Sequence, residues 1–278
     1  MRHNNLLLVI ASGVLLAAPW VTPHLWMLSF IAFVPILIAF HSQHEKTKRT
    51  RDVFAYSLAA LLVWNVCAGW WVAKASLKGV LMLMVVNPFL QLLPLVLWGW
   101  VSRWFSRAMG LAIFVALWVG WEWVQLHVSG FVPWLVLGNS LGSNPMIIQW
   151  YEVTGTLGGS AWILSINVLI FTLLTTDFET SKTTRKKVFA ALGFAIAIPL
   201  LTSFYRWTNF EVSQGNRHVT VIQSTFDCYK EKFGRISQEK QIEDMLSIAR
   251  GLKEDSVSRV IIFPETAIHE KVDEQNIS

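Results

Sequence analysis

The sequence predicts an α-helical multi-pass membrane bundle of about seven spans, followed by the start of an α/β domain. Three observations carry this expectation. Of the 278 residues, 54% are hydrophobic and only 15% are charged, against roughly 45–50% and 25% in an average soluble domain. The acidic residues are segregated: residues 1–204 hold six (Glu45, Asp52, Glu122, Glu152, Asp177 and Glu179), and residues 205–278 hold twelve. The apolar residues of the first part also fall into runs close to bilayer-spanning length. The chain is therefore divided into a transmembrane helical domain, 1–204, and a polar part, 205–278. A single soluble globule of this composition could not cover its surface.

A bilayer core about 30 Å thick takes roughly 20 apolar residues of helix. Residues 6–40 are apolar almost throughout, but Pro19 and Pro23 split them into two short helices with a turn at 21–24. A positively charged start before an apolar run also fits a signal peptide. The second run follows so closely that a first span is the better reading. Further apolar runs cover about 53–73, 79–101, 109–126, 160–176 and 188–204. In the fourth span Asn87, Pro88 and Pro94 mark a kink rather than a substrate path.

Lys and Arg in short loops set orientation. Arg2, Lys46, Lys48, Arg49, Arg51, Arg103, Arg107, Lys182, Arg185, Lys186 and Lys187 fall on one side of this seven-span reading, and only Lys74 and Lys78 on the other. The expected N-terminus is cytoplasmic, and residues beyond 205 lie outside the cytoplasm. The stretch 127–159 has no Lys or Arg but holds Phe131, Trp134, Trp150 and Tyr151. It reads as a segment on the outer leaflet or as the lipid-facing wall of a site. Glu122, the only acid within a span, is a candidate functional residue by its placement. Its plainer reading is a structural pair, with Lys74 at similar depth as the proposed partner.

The net charge of +5 does not imply nucleic acid, because most of the basic residues in the first 204 sit in short clusters that orient spans. Cys67 lies in an apolar run and Cys228 in the polar part, so no disulfide or metal site is expected. His218 and His269 lack partners at metal-ligand spacing, and no cofactor is implied.

In the polar part, the alternating β-branched stretch 218–223 reads as a strand. Residues 237–253 carry Ile242, Met245, Leu246, Ala249 and Leu252 at helical spacing, with Ser237 as the cap. Residues 257–263 read as a second strand ending at Pro264-Glu265-Thr266-Ala267. Strand, crossover helix and strand make a βαβ unit with parallel strands. A parallel sheet needs both faces covered, so this reads as the first unit of a larger, here incomplete, domain.

These residues resemble a known family. The strand followed by Pro264-Glu265-Thr266-Ala267, some way after Val-Thr-Val-Ile-Gln, looks like the opening of a nitrilase-like (αββα) domain. With seven spans before it, the chain resembles bacterial apolipoprotein N-acyltransferases. Gly69-Trp70-Trp71, Glu122-Trp123, Phe131-Val132-Pro133-Trp134-Leu135 and Gly138-Asn139-Ser140 resemble that family's membrane-domain signatures in order and approximate spacing.

The resemblance implies an inner-membrane enzyme with a periplasmic catalytic domain. It implies a phospholipid acyl donor, a diacylglyceryl lipoprotein acceptor and a thioester intermediate on a Glu-Lys-Cys triad. Glu265 matches the general base. No residue here matches the lysine or the cysteine: Cys228 and Cys67 are misplaced for the nucleophile, and Lys271 is too near Glu265. The resemblance also suggests Phe233 near the acyl chain, although a core role serves as well. The chain alone is expected to be inactive. The alternative is a non-catalytic lipid- or lipoprotein-binding membrane module, or a truncated relic. A transporter would want more polar residues in broken helices than Asn65 and Asn87 supply.

Overall fold

The computed structural model describes residues 2–46, 50–74, 76–128, 133–176, 182–211, 215, 218–223, 236–251 and 259–264. The chain falls into two compact units, Met1–Phe210 and Glu211–Ser278.

The first unit is a helical bundle. Among its described residues are seven stretches of helix long and apolar enough to cross a membrane. Helix α1 spans Arg2–Val21 and stops where Thr22 turns extended ahead of Pro23, at the expected turn. A 3-10 helix, Pro23–Ile31, kinked at Leu25, leads through Ala32 and Phe33 into α2, Val34–Lys46. Helix α3, Thr50–Gly69, tightens into the 3-10 turn Trp70–Lys74.

The next span is compound. Helix α4, Leu77–Leu81, passes into a π-helical turn at Met82–Val86 and then into α5, Asn87–Val101. The Asn87 N–H bonds to the Met82 carbonyl, five residues back. Pro88, which has no N–H to give, follows directly. Of the expected kink residues Asn87, Pro88 and Pro94, the first two directly follow this π-helical turn, and Pro94 lies inside α5.

Helices α6, Arg107–His127, α7, Tyr151–Thr175, and α8, Lys182–Thr208, complete the bundle. Helix α7 begins earlier than the apolar run indicated. Its first turn is separated from the rest by Gly155, whose φ of 64° only glycine adopts readily.

Neighbouring helices pack in the order α1 on α3, α3 on α5, α5 on α6, α6 on α7 and α7 on α8. The α1–α3 approach is close, because a Cβ on Gly13 would lie 2.6 Å from the Ala60 carbonyl oxygen. An aromatic centre joins α3, α6 and the turn before α2. Phe33 meets Phe114 and Trp118 edge-on at 5.6 and 5.0 Å, and Trp118 stacks on Trp64 at 6.3 Å. Helix α8 is peripheral, and its side chains are mostly exposed as far as the described residues show. Trp162 ties it on by donating to the Ala195 carbonyl at 2.6 Å.

In the second unit β1, His218–Val221, pairs in parallel with β2, Arg259–Ile262, Val219 lying opposite Val260 and Val221 opposite Ile262. Between them in sequence runs α9, Gln238–Arg250, capped by the Ser237 hydroxyl accepting from the Lys240 N–H. Ile222 and Met245 are buried, while Val219, Val221 and Ile262 are exposed. The arrangement is a βαβ unit, with a helix as the crossover between parallel strands.

Candidate functional site

The segment between α6 and α7 does not lie flat on the bundle. It descends through three short 3-10 turns, Pro133–Leu135, Leu137–Leu141 and Pro145–Ile147. Leu135, Val136, Leu137, Gly138, Ser140 and Leu141 are buried. The expectation of a surface segment over 127–159 is corrected for these middle residues. They are packed against α7, the 3-10 helix Pro23–Ile31 and α1.

Buried irregular backbone must find partners within the protein, and polar side chains provide them here. The Leu137 N–H donates to Glu122 Oε1 at 2.8 Å, and the Gly138 N–H to the Ser160 hydroxyl at 2.9 Å. The Tyr151 hydroxyl donates to the Gly138 carbonyl at 3.0 Å. Ser29 donates to Ser140 at 2.9 Å, and Trp20 Nε1 to the Trp134 carbonyl at 3.2 Å. At Gly138 the backbones nearly touch: an added Cβ would sit 1.9 Å from the Thr156 carbonyl oxygen. No larger residue fits there.

Glu122 is thus one of the anchors of this segment. It is buried, and its Oε1 also accepts from Trp118 Nε1 at 2.9 Å. The expected pair with Lys74 does not form. Lys74 is exposed, its ammonium 5.6 Å from the centre of the Trp70 ring. One backbone N–H, that of Leu137, and the Trp118 indole, not a lysine, bond to the carboxylate.

Two further polar clusters stitch the bundle. Asn65 Nδ2 donates to Gln91 Oε1 at 2.7 Å, Asn87 Nδ2 to Asn65 Oδ1 at 2.7 Å, and Gln125 Nε2 to Asn87 Oδ1 at 3.1 Å. All four carboxamides are buried. Asn167 accepts from the Phe33 N–H and donates to the Ser29 and Ile163 carbonyls, each at 2.8 Å. It thereby serves the backbone at the junction between Pro23–Ile31 and α2.

Toward the ends of α3 and α6 lies an exposed aromatic group. Trp71 meets Trp134 at 5.7 Å; Trp70, next to Trp71 in sequence, and Trp123, on α6, are also exposed. Trp150 is different. It packs edge-on against Tyr151 and Trp162 and donates to the Ile147 carbonyl.

Of the residues singled out from sequence, Glu122, Asn65, Asn87, Trp134 and Trp150 belong to these clusters. Cys67 is exposed on α3, away from any partner role in them. Glu265 lies outside the described residues, as do Cys228, Phe233, His269 and Lys271. Strand β2 leads to Pro264, the residue before Glu265. Among the described residues, no group of three or more His, Cys, Asp or Glu side chains could hold a metal ion. Gln91, Gln125, Ser160 and Asn167 were not anticipated. Polar residues inside apolar runs were the available signal for three of them, whereas Ser160 has no distinguishing pattern.

The sequence model of the family described as "Apolipoprotein N-acyltransferase N-terminal domain" matches residues 12–169. The chain is 29% identical over 266 residues to the apolipoprotein N-acyltransferase of Chlorobaculum tepidum, covering 94% of this chain and 49% of that protein. It is 29% identical over 273 residues to that of Geobacter metallireducens, covering 95% and 51%. The chain thus spans about half the length of the curated relatives it matches. The family match takes in α3, α5, α6 and most of α7, and so all three buried polar clusters. On that match the chain belongs to the apolipoprotein N-acyltransferase N-terminal domain family.

Proposed function

We propose that this chain supplies the membrane domain and the general base of an apolipoprotein N-acyltransferase. The domains are 1–204, which spans the inner membrane, and 205–278, the first part of a periplasmic nitrilase-like domain. The observation that carries the reading is membership of this family in a chain whose second parallel strand is followed in sequence by Phe263-Pro264-Glu265. The bias of Lys and Arg toward one set of loops puts the N-terminus in the cytoplasm and Glu265 outside it. There it meets lipid of the outer leaflet.

In this reading Glu265 takes the proton of a cysteine thiol, and the thiolate attacks the ester carbonyl of a phospholipid. A lysine ammonium offsets the charge on the tetrahedral oxygen, lysophospholipid leaves, and an acyl thioester remains on the enzyme. The α-amino group of a diacylglyceryl-cysteine lipoprotein then attacks the thioester, forming the amide and returning the thiol. The lysine and cysteine match nothing in this chain, so the chain by itself holds one member of three. The exposed aromatic residues Trp71 and Trp134 are placed to meet the donor lipid sideways from the bilayer.

The test is acyl transfer in vesicles by the chain alone and by the chain joined to the C-terminal half of the Chlorobaculum tepidum relative. The chain alone should form no thioester, and the joined protein should form one. In the joined protein Glu265→Gln should lower the rate about 10²- to 10⁴-fold, the usual worth of a general base. Thioester formation by the chain alone would sink the half-site reading. A folded joined protein that binds lipid yet never acylates would favour a non-catalytic binding module instead.

A further inference from the structure

Glu122 stands out because nothing in the chemistry of acyl transfer uses it, yet a carboxylate is an expensive group to bury. Its Oε1 receives two donors from two directions. One is Trp118, a turn back on the same helix, and the other is the Leu137 backbone N–H on the inserted segment. Leu137 opens the 3-10 turn Leu137–Leu141, where a first-turn N–H has no helical partner of its own. Two residues before this turn, the chain carries Leu135 into the core and leaves Trp134 exposed against Trp71. The carboxylate thus ties the segment at Leu137, three residues after Trp134.

We propose that Glu122 is a positioning residue. Its Oε1 seats the inserted segment through the Leu137 N–H and so holds Trp134 beside Trp71 as the edge that the acyl-donor lipid approaches. The last step rests on the acyltransferase reading; the seating does not. What this role needs is an acceptor at full side-chain reach. A glutamine oxygen can accept both bonds, whereas an aspartate keeps the charge but is one methylene short. The order of the two conservative variants therefore separates positioning from any role of the charge.

The test uses the full chain in membranes with Cys67→Ser and Cys228→Ser. A single reporter, Ser140→Cys, sits at a buried position in the inserted segment, and a maleimide reads its exposure. A second reporter, Ser12→Cys, is buried in α1 and reads the bundle as a whole. Glu122→Gln should keep Ser140→Cys protected. Glu122→Asp and Glu122→Ala should speed its labelling about tenfold or more, the effect of losing one hydrogen bond to a charged group. Ser12→Cys should stay protected throughout.

Labelling of Ser140→Cys in the glutamine variant, or protection in the alanine variant, would overturn the proposal. So would protection by aspartate but not by glutamine. If Glu122→Ala exposes both reporters, the bundle has opened, and the glutamine-over-aspartate order decides. In the joined enzyme Glu122→Asp should raise the donor KM with kcat kept. An unmoved donor KM alongside the expected labelling would overturn the donor-edge part. Absence of any acyl transfer would count against the acyltransferase reading alone, because the labelling needs no activity.

Discussion

Asn87 donates its Nδ2 to Asn65 Oδ1 at 2.7 Å, so the π-helical distortion of one span ends on a side-chain bond to another. Gln91 and Gln125 extend this contact at its two ends, and the four carboxamides join α3, α5 and α6. The bulge and the amide chain are one device. The π-turn ends at the buried Asn87, and the chain of carboxamides gives its amide the partners it needs.

Asn87→Ala should therefore be costly. It strips a partner from both Asn65 and Gln125, and a buried polar group left unpaired costs about 1–3 kcal/mol. Interhelical bonds in membranes average about 0.6 kcal/mol in double-mutant cycles, with a maximum near 1.7. The expected coupling between Asn65→Ala and Asn87→Ala lies in the upper half of that range, because each residue serves two others. Unfolding in mixed detergent would measure it. Additive single losses would mean that the amides do not act as a chain.

Glycine substitutions should sort by what lies over the missing Cβ. At Gly138 an added methyl meets the Thr156 backbone oxygen at 1.9 Å, whereas at Gly120 nothing lies within 4 Å. Gly138→Ala must move backbone and should destabilise by about 1–3 kcal/mol or more, as overpacking does. Gly120→Ala, in mid-helix, should be neutral or stabilising by up to about 1 kcal/mol. Thermal denaturation in detergent checks both. Equal behaviour of the two variants would mean that the close approach at Gly138 is not maintained in the membrane.

The seven apolar spans, the break at Thr22 and the parallel βαβ unit were all legible in the sequence, because hydropathy, proline and side-chain alternation are local signals. Family motifs drew attention to Trp134 and Gly138. What the sequence could not convey was that the segment carrying them goes inward. Its apolar content suits a lipid surface and a protein core equally, and the deciding facts are partners far along the chain: Ser29, Glu122 and Ser160. The same limit explains Glu122. Charge and apparent depth pointed to Lys74, but Lys74 projects over Trp70 and the backbone N–H of Leu137 fills its place. A backbone donor leaves no mark in a sequence.

Lys74 and Glu122 should consequently show no coupling. Separate partners and opposite exposure make them independent sites, for which double-mutant effects add within about 0.3–0.5 kcal/mol. Lys74→Ala alone should change stability little, since an exposed cation over an indole is worth about 0.5–1 kcal/mol. Glu122→Ala should be strongly destabilising. A coupling energy above about 1 kcal/mol would restore the ion pair.

Trp134 and Trp150 are two tryptophans of one segment with different expected phenotypes. Trp134 is exposed beside Trp71, and the bond it receives from Trp20 goes to its backbone carbonyl. Trp134→Gln thus leaves that hydrogen bond in place and removes only a ring at the surface. Trp150 packs on Tyr151 and Trp162, and Trp162 in turn carries the bond to α8. Removing its ring opens a cavity between packed aromatics, and core Trp truncations cost about 3–5 kcal/mol. A half-buried ring should fall below that range. Trp150→Gln should therefore lower the unfolding midpoint clearly and Trp134→Gln barely, while in the joined enzyme only Trp134→Gln raises the donor KM in a stable background. Paired measurements of unfolding and donor dependence in vesicles separate the two. If Trp134→Gln destabilises as much as Trp150→Gln, the exposed ring belongs to the core of the segment rather than to its lipid-facing edge.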